Sequence, residues 1–309
     1  MELCSVGRKI QEERKRKNVS QQDLCMGICS ISTLSRIENG TQKPTLKVEE
    51  ALLERLGCGT ENLSFFAGEE EIKKHRLEIE LGLLMMNRNP LETELTLYKE
   101  LISSSPADKL YTQFALLAEA VYSLYSGKWS LDKVKDQLEK AICLTIPNFM
   151  EKELADIKLL TLTEITLLNN LGIVQHKQEK YPEAMQIWRY LITYLEKGDL
   201  SVDTMRHKYP MLIVNLTKLL VETNNSIEAL EFINKGISFC KKYGRLTGLE
   251  NLFYYKAVSH VRLEQIQEAK ECYEYAICLS KINENLKITE QMVAEYEEYK
   301  EYIKRNEDI

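Results

Sequence analysis

The 309-residue chain has no apolar run approaching the roughly 18 residues that cross a bilayer, so a membrane-spanning helix is not expected. Its opening, MELCSVGRKIQEERKRK, lacks an apolar core segment and a small-residue cleavage site, which argues against export and for a cytoplasmic protein. Proline and glycine are scarce, at 6 and 13 residues, while Leu, Glu and Lys abound; few helix breakers in such a composition imply helix throughout. The four histidines (His75, His176, His207, His260) are dispersed without ligand spacing, and there is neither a glycine-rich phosphate loop nor a Ser/His/Asp arrangement. The expectation is therefore no enzyme, no cofactor and no metal. Eight cysteines are scattered, at positions 4, 25, 29, 58, 143, 240, 272 and 278, and read as small buried hydrophobes rather than disulfides. The pair Cys25 and Cys29 has no nearby histidine and no second pair, so it is not read as a metal or redox site.

What is present is unevenly charged. The formal net charge is −6, but residues 1–67 carry ten Lys/Arg against nine Asp/Glu, whereas residues 68–309 carry 31 against 38. Six of the basic residues (Arg8, Lys9, Arg14, Lys15, Arg16, Lys17) crowd the first predicted helix. A small, slightly basic head and a large acidic body are expected, with domains at 1–67 and 76–309 joined by a linker and first helix at 68–88.

In the head, Ser20 stands where an N-cap belongs before QQDLCM, and Gly27 closes that short helix. Ser30 can cap a third helix, ISTLSRIE, which stops at Asn39–Gly40. Two short helices joined by a tight turn, the second with Leu34 and Ile37 inward and small polar residues outward, form a helix-turn-helix. A fourth helix, TLKVEEALLERLG, follows, and ENLSFF is expected to supply a fifth.

The body repeats. Leu171–Gly172 is followed by small Ala184 and then Trp188, with Tyr181–Pro182 at the turn; the frame recurs as Thr217, Ala229, Ile233 and as Ala257, Ala269, Tyr273, Ala276. Weaker copies run from Leu81–Gly82 and from Tyr122, so that Glu94, Val134, Ala184, Ala229 and Ala269 occupy one position in five successive units. Small residues let two helices cross closely and the aromatic fills the gap between pairs. A last helix, about 284–305, would cap the stack. Asn169 and Asn170 interrupt one apolar helix and Asn215 another. An asparagine there offers a donor and an acceptor to an extended peptide whose amides must be paired on burial.

Residues 7–63 resemble the phage-repressor or xenobiotic-response-element type of DNA-binding domain, through Arg14, SQQDL, LSRIENG and KPTL. The body resembles tetratricopeptide repeats. Together, with a head one residue shorter than the usual repressor pattern at GICS, they are similar to the family of cytoplasmic quorum-sensing regulators that includes Rap, Rgg, NprR, PlcR and PrgX.

The resemblance implies an all-α fold: an N-terminal helix-turn-helix, then a right-handed superhelix of about five degenerate helix pairs and a capping helix. It implies that Ser30, Ile31, Ser32 and Arg36 face base edges, that Gln21, Asn39, Thr41 and Lys43 contact phosphates, and that Arg14 and Glu38 form a structural salt bridge. It places asparagines equivalent to Asn169 and Asn215 against a signalling peptide, with Lys218, Asn251, Tyr254, Lys256, His176 and Lys177 as further candidates.

The function so implied is a homodimeric transcriptional regulator binding a double-stranded operator and a short linear peptide. The alternatives are a repeat scaffold that docks a phosphorelay partner, and a DNA-binding regulator whose body only dimerises.

Overall fold

A computed structural model describes residues 3–59, 68–86, 92–104, 108–284 and 286–307. Every regular element among them is helical, and no helix is long and apolar enough to cross a membrane. The described chain divides into two compact units, Met1–Val202 and Asp203–Ile309.

The first unit opens with α1 (Leu3–Arg16), α2 (Gln21–Cys25), α3 (Ile31–Glu38) and α4 (Leu46–Arg55). Ser20, Ser30 and Thr45 each turn an extended backbone into a helix by accepting the N–H three residues on, from Asp23, Thr33 and Val48. Ile10, Leu24, Ile28, Leu34, Ile37, Leu52 and Leu56 form the head's core, and Leu110 of α7 (Lys109–Ser126) joins them. The head core is thus completed by a helix from beyond the linker. The ENLSFF helix expected at 61–66 lies outside the described residues.

The rest of this unit is α5 (Glu69–Met86), α6 (Glu92–Ser104), α7, α8 (Leu131–Cys143), α9 (Leu162–Lys177) and α10 (Tyr181–Lys197). The second unit is built from α11 (Val202–Glu222), α12 (Ser226–Tyr243), α13 (Leu249–Arg262), α14 (Ile266–Ile282) and α15 (Leu286–Glu307). Val134, Ala184, Ala229 and Ala269, the small positions of four repeats, are fully buried; the Glu94 side chain is outside the described residues. Gly172 shows why small residues sit at these crossings: a Cβ there would lie 2.8 Å from the Trp188 indole nitrogen. The wide spacing between Val134 and Ala184 comes from residues 144–161, which carry two 3-10 turns (Phe149–Glu151 and Leu154–Asp156) between α8 and α9. On α15, Tyr296 stacks on Tyr273 with centroids 5.1 Å apart, which closes the end of the second unit.

One turn recurs inside three repeats. Glu179, Asn224 and Glu264 adopt the left-handed conformation with φ of 60°, 61° and 57°, each five residues before Ala184, Ala229 and Ala269. In each case the next amide (Lys180, Asn225, Gln265) donates back to a carbonyl five residues earlier (Gln175, Leu220, His260) at 2.8–2.9 Å. This six-to-one bond satisfies the carbonyls at the end of the first helix and launches the second.

Candidate nucleic-acid interface and peptide-binding residues

The reading helix α3 is set by its own cap and by a brace. Ser30 Oγ accepts from Thr33 N at 3.0 Å and lies 2.8 Å from the Ser32 and Thr33 hydroxyls, so its primary engagement is within the helix start. Ile31, Ser32 and Arg36 are exposed. At the far end Arg14 grips Glu38 through Nε at 2.6 Å and Nη2 at 2.8 Å. Arg14 also donates to the Val19 carbonyl at 3.0 Å, which ties α1, the turn before α2, and α3 together.

The Gln21 amide, at the start of α2, donates to Glu38 Oε2 at 2.8 Å and so joins the brace. Thr41 Oγ1 donates to the Arg36 carbonyl at 3.1 Å, and Asn39 ends α3. Asn39, Thr41 and Lys43 are exposed in the segment that follows α3.

Burial pushes the Glu38 carboxyl up, but the hydrogen bonds from Arg14 and Gln21 outweigh it and hold it below the usual carboxylate range. A carboxyl whose folded value is depressed contributes stability that is complete above its unfolded value, near 4.5, and is lost as pH falls through the folded value. Circular dichroism during urea unfolding is therefore expected to show stability dropping below about pH 4.5, with Glu38→Gln less stable at neutral pH but flatter in that window. A variant with the parental acid dependence would remove Glu38 as its source. Burial pushes the Cys29 thiol up to about 11 and raises Cys25 as well, which favours the thiol form of both.

Besides Leu110 in its core, the head is fastened to the repeats of its own unit by several polar and close backbone contacts. Arg55 of α4, buried, donates through Nη1 to the carbonyls of Leu24 and Met26 at the end of α2, and through Nη2 to Glu164 Oε1 at 2.7 Å. Glu164 is the third residue of α9, where its other oxygen accepts from Thr161 N in a capping box. Gly27, with φ of +72°, lies against the Thr145 carbonyl. Arg16 and Lys17 of the first helix region reach Asp199 beyond α10 at 2.7 and 3.3 Å. The linker helix α5 is therefore one of several connections.

Beside that seam Lys47 contacts Glu50 at 2.7 Å and also Glu78. Burial works against the Lys47 charge, but the neighbouring Glu78, Glu50 and Glu54 outweigh it and raise its pKa. Glu54, which accepts from Leu162 N at 2.9 Å, is pushed up to about 8 by burial and by Glu50.

The peptide candidates fall in both units. In the first, Asn169 is buried at 2% exposure and its Oδ1 accepts from Trp188 Nε1 at 3.1 Å; Asn170 donates to the Thr166 carbonyl at 2.8 Å. Both asparagines thus hold bonds within their own repeat. His176 packs 5.8 Å from the Tyr181 ring and 6.1 Å from Trp188, and Lys177 is exposed. In the second unit, Asn215 and Lys218 lie half-buried on α11, with Lys218 3.7 Å from Glu222. On α13, Asn251 donates to Glu250 at 3.2 Å, Tyr254 to Glu295 at 2.5 Å, and Lys256 to Asn234 at 3.0 Å. Tyr254 is thereby tied to the capping helix, a contact across 41 residues that no local pattern announces.

Residues 10–63 match a helix-turn-helix family, and residues 120–304 match the RNPP family C-terminal domain. No curated protein matches the chain in sequence. Among solved structures, the fold is similar to Bacillus thuringiensis PlcR in complex with the peptide PapR7 and DNA: 16% identity, 94% of this chain and 99% of that one covered, TM-score 0.63. It is also similar to the apo form of the competence regulator ComR from Streptococcus vestibularis, at 15% identity over 96% and 98% of the two chains with a TM-score of 0.53. The apo form of ComR from S. thermophilus gives 18% identity over 95% and 98%, TM-score 0.54. A braced helix-turn-helix in front of helix-pair repeats, with the C-terminal domain matched over more than half of the chain, places the protein in the RNPP family.

Proposed function

We propose that the protein is a cytoplasmic, homodimeric transcriptional regulator that reads a double-stranded DNA operator with its head and binds a short linear signalling peptide with its repeats. The observation that carries this reading is the union in one chain of an exposed, braced reading helix and an RNPP C-terminal domain. PlcR of the same fold has been captured with both a peptide and DNA.

On DNA, α3 enters the major groove. Arg36 is the long donor able to bridge a guanine's O6 and N7, with Ile31 and Ser32 beside it and Ser30 at the helix start. Gln21, Asn39, Thr41 and Lys43 meet phosphates and set the register, and Gln21 also braces Glu38. Arg36→Ala is expected to weaken specific operator binding by about 1–3 kcal/mol and to relax preference at one base pair, measured by competition binding at fixed salt. Unchanged sequence preference would take Arg36 out of the reader set.

On the repeats, the peptide backbone is held by asparagine, with Asn169 and Asn215 the two leading positions and Asn169 also bonded to Trp188. Lys218, Asn251, Tyr254, Lys256, His176 and Lys177 are the remaining candidates. Binding changes the relative placement of the two heads of a dimer and so affinity for paired half-sites. Titration calorimetry of the full chain with peptides encoded by short reading frames beside its gene tests this. Asn215→Ala should weaken binding by about 1–3 kcal/mol, the cost of leaving a buried peptide group unpaired. Equal affinity in the variant would refute the asparagine assignment, and binding of no peptide at all would favour a repeat body that only dimerises or docks a protein.

A further inference from the structure

We propose that Glu50, His75 and Glu78 form a site for one divalent first-row transition-metal ion between α4 and α5. Each of the three offers a ligand atom, and these atoms lie within 4.8 Å of one another. His75 and Glu78 are three residues apart on α5 and so share a face, while Glu50 comes from α4 of the head. The histidines carry no ligand spacing in the sequence because one ligand is supplied from 25 residues away by a different helix.

Two polar atoms of the cluster point to a missing partner. His75 Nδ1 and Glu78 Oε2 are both buried without a hydrogen bond among the described residues, and Glu78 is only 8% exposed. The hydroxyl of Tyr111, a residue in the same electrostatic neighbourhood, is likewise buried and unpaired. Orphaned polar atoms are costly in folded proteins, and two of the eight found among the described residues belong to the three residues of this cluster.

Lys47 does not account for the cluster. Its ammonium is bonded to Glu50 Oε2 and Glu78 Oε1, which leaves the second oxygen of Glu78 unserved and sets one positive charge among the three carboxyl groups of Glu50, Glu54 and Glu78. Lys47 ties the Glu50 and Glu78 carboxylates together, as outer partners of metal ligands commonly do. A divalent ion would use the unpaired oxygen of Glu78 and the imidazole nitrogen of His75. One nitrogen and two carboxylate donors, without a thiolate, suit Mn2+, Fe2+ or Zn2+ better than Ca2+ or Mg2+, which take oxygen ligands. An ion so held would pin the linker helix to the head.

The test uses the chelator-treated full chain and Mn2+, which avoids the zinc affinity of the free cysteines. Titration followed by electron paramagnetic resonance should show one saturable Mn2+ per chain, with a coupled imidazole nitrogen in the pulsed spectrum. His75→Ala should weaken binding at least about tenfold and abolish the nitrogen coupling, with metal-free thermal unfolding used to check the fold. His207→Ala, an exposed histidine of the second unit, should change neither. Glu78→Gln serves as a second variant and should lose the site in the same way. Absence of saturable binding in the parent would overturn the proposal, as would binding and nitrogen coupling that persist in His75→Ala; either result would leave the cluster as a hydrated carboxylate–lysine network.

Discussion

Arg55→Ala is expected to lower stability by about 3–5 kcal/mol, because it strands the Glu164 carboxylate in a site with no exposure at all. The loss goes beyond one ion pair. Arg55 also closes the carbonyls of Leu24 and Met26, which are left unpaired at the very turn that positions α3. Its partner is the third residue of α9, which completes the capping box of the helix that continues to Asn169. Removing both charges together, as Arg55→Met with Glu164→Gln, should cost much less than the sum of the two single changes, since the buried charge that makes each one expensive is gone. Urea unfolding of the four proteins measures the coupling. A single variant within about 1 kcal/mol of the parent would mean that water reaches the pair and that the seam is looser than its geometry says.

Gly27→Ala should be nearly as damaging, by a steric route. The residue has φ of +72°, and a Cβ added there would overlap the Thr145 carbonyl oxygen, a backbone atom that cannot swing aside. Left-handed strain of about 1–2 kcal/mol and overpacking of about 1–3 kcal/mol apply together. Gly127 and Gly244 are the internal controls. They share the left-handed conformation, with φ of +69° and +63°, but a Cβ added at either would meet nothing within 4 Å among the described residues, so alanine there should carry the strain alone. If Gly27→Ala proved no worse than Gly127→Ala in urea unfolding, the head would not be seated on Thr145.

Much of this was legible in the residues. Ser20 and Ser30 announce helix starts because a hydroxyl before a helical period has one cheap use, and each caps as expected. Ala184, Ala229 and Ala269 announce helix crossings because only a small side chain fits, and all three are fully buried. Periodicity carries such local facts and little else. Arg55 and Glu164 are 109 residues apart, and neither looks unusual beside its neighbours; their pairing depends on how α4 meets α9. The same holds for Glu50 and His75, brought together by two helices, and for Leu110, a repeat residue in the head's core. The internal bonds of Gln21 and Asn169 were not legible either: the Gln21 amide reaches a buried carboxylate 2.8 Å away, and the Asn169 oxygen accepts from an indole 19 positions later. A proline inside α11, Pro210, would ordinarily be taken as a helix end; it is buried within the helix instead.

The repeated left-handed turn has a practical corollary for engineering. At Glu179, Asn224 and Glu264 the chain asks residues with a β-carbon to hold a shape that glycine holds freely, and the two glutamates cannot ease it as asparagine partly does. Evolution has left a modest reserve in these corners. They could be relaxed one at a time with glycine to make a hardier protein, without altering the reading helix, the head's seat or the asparagines.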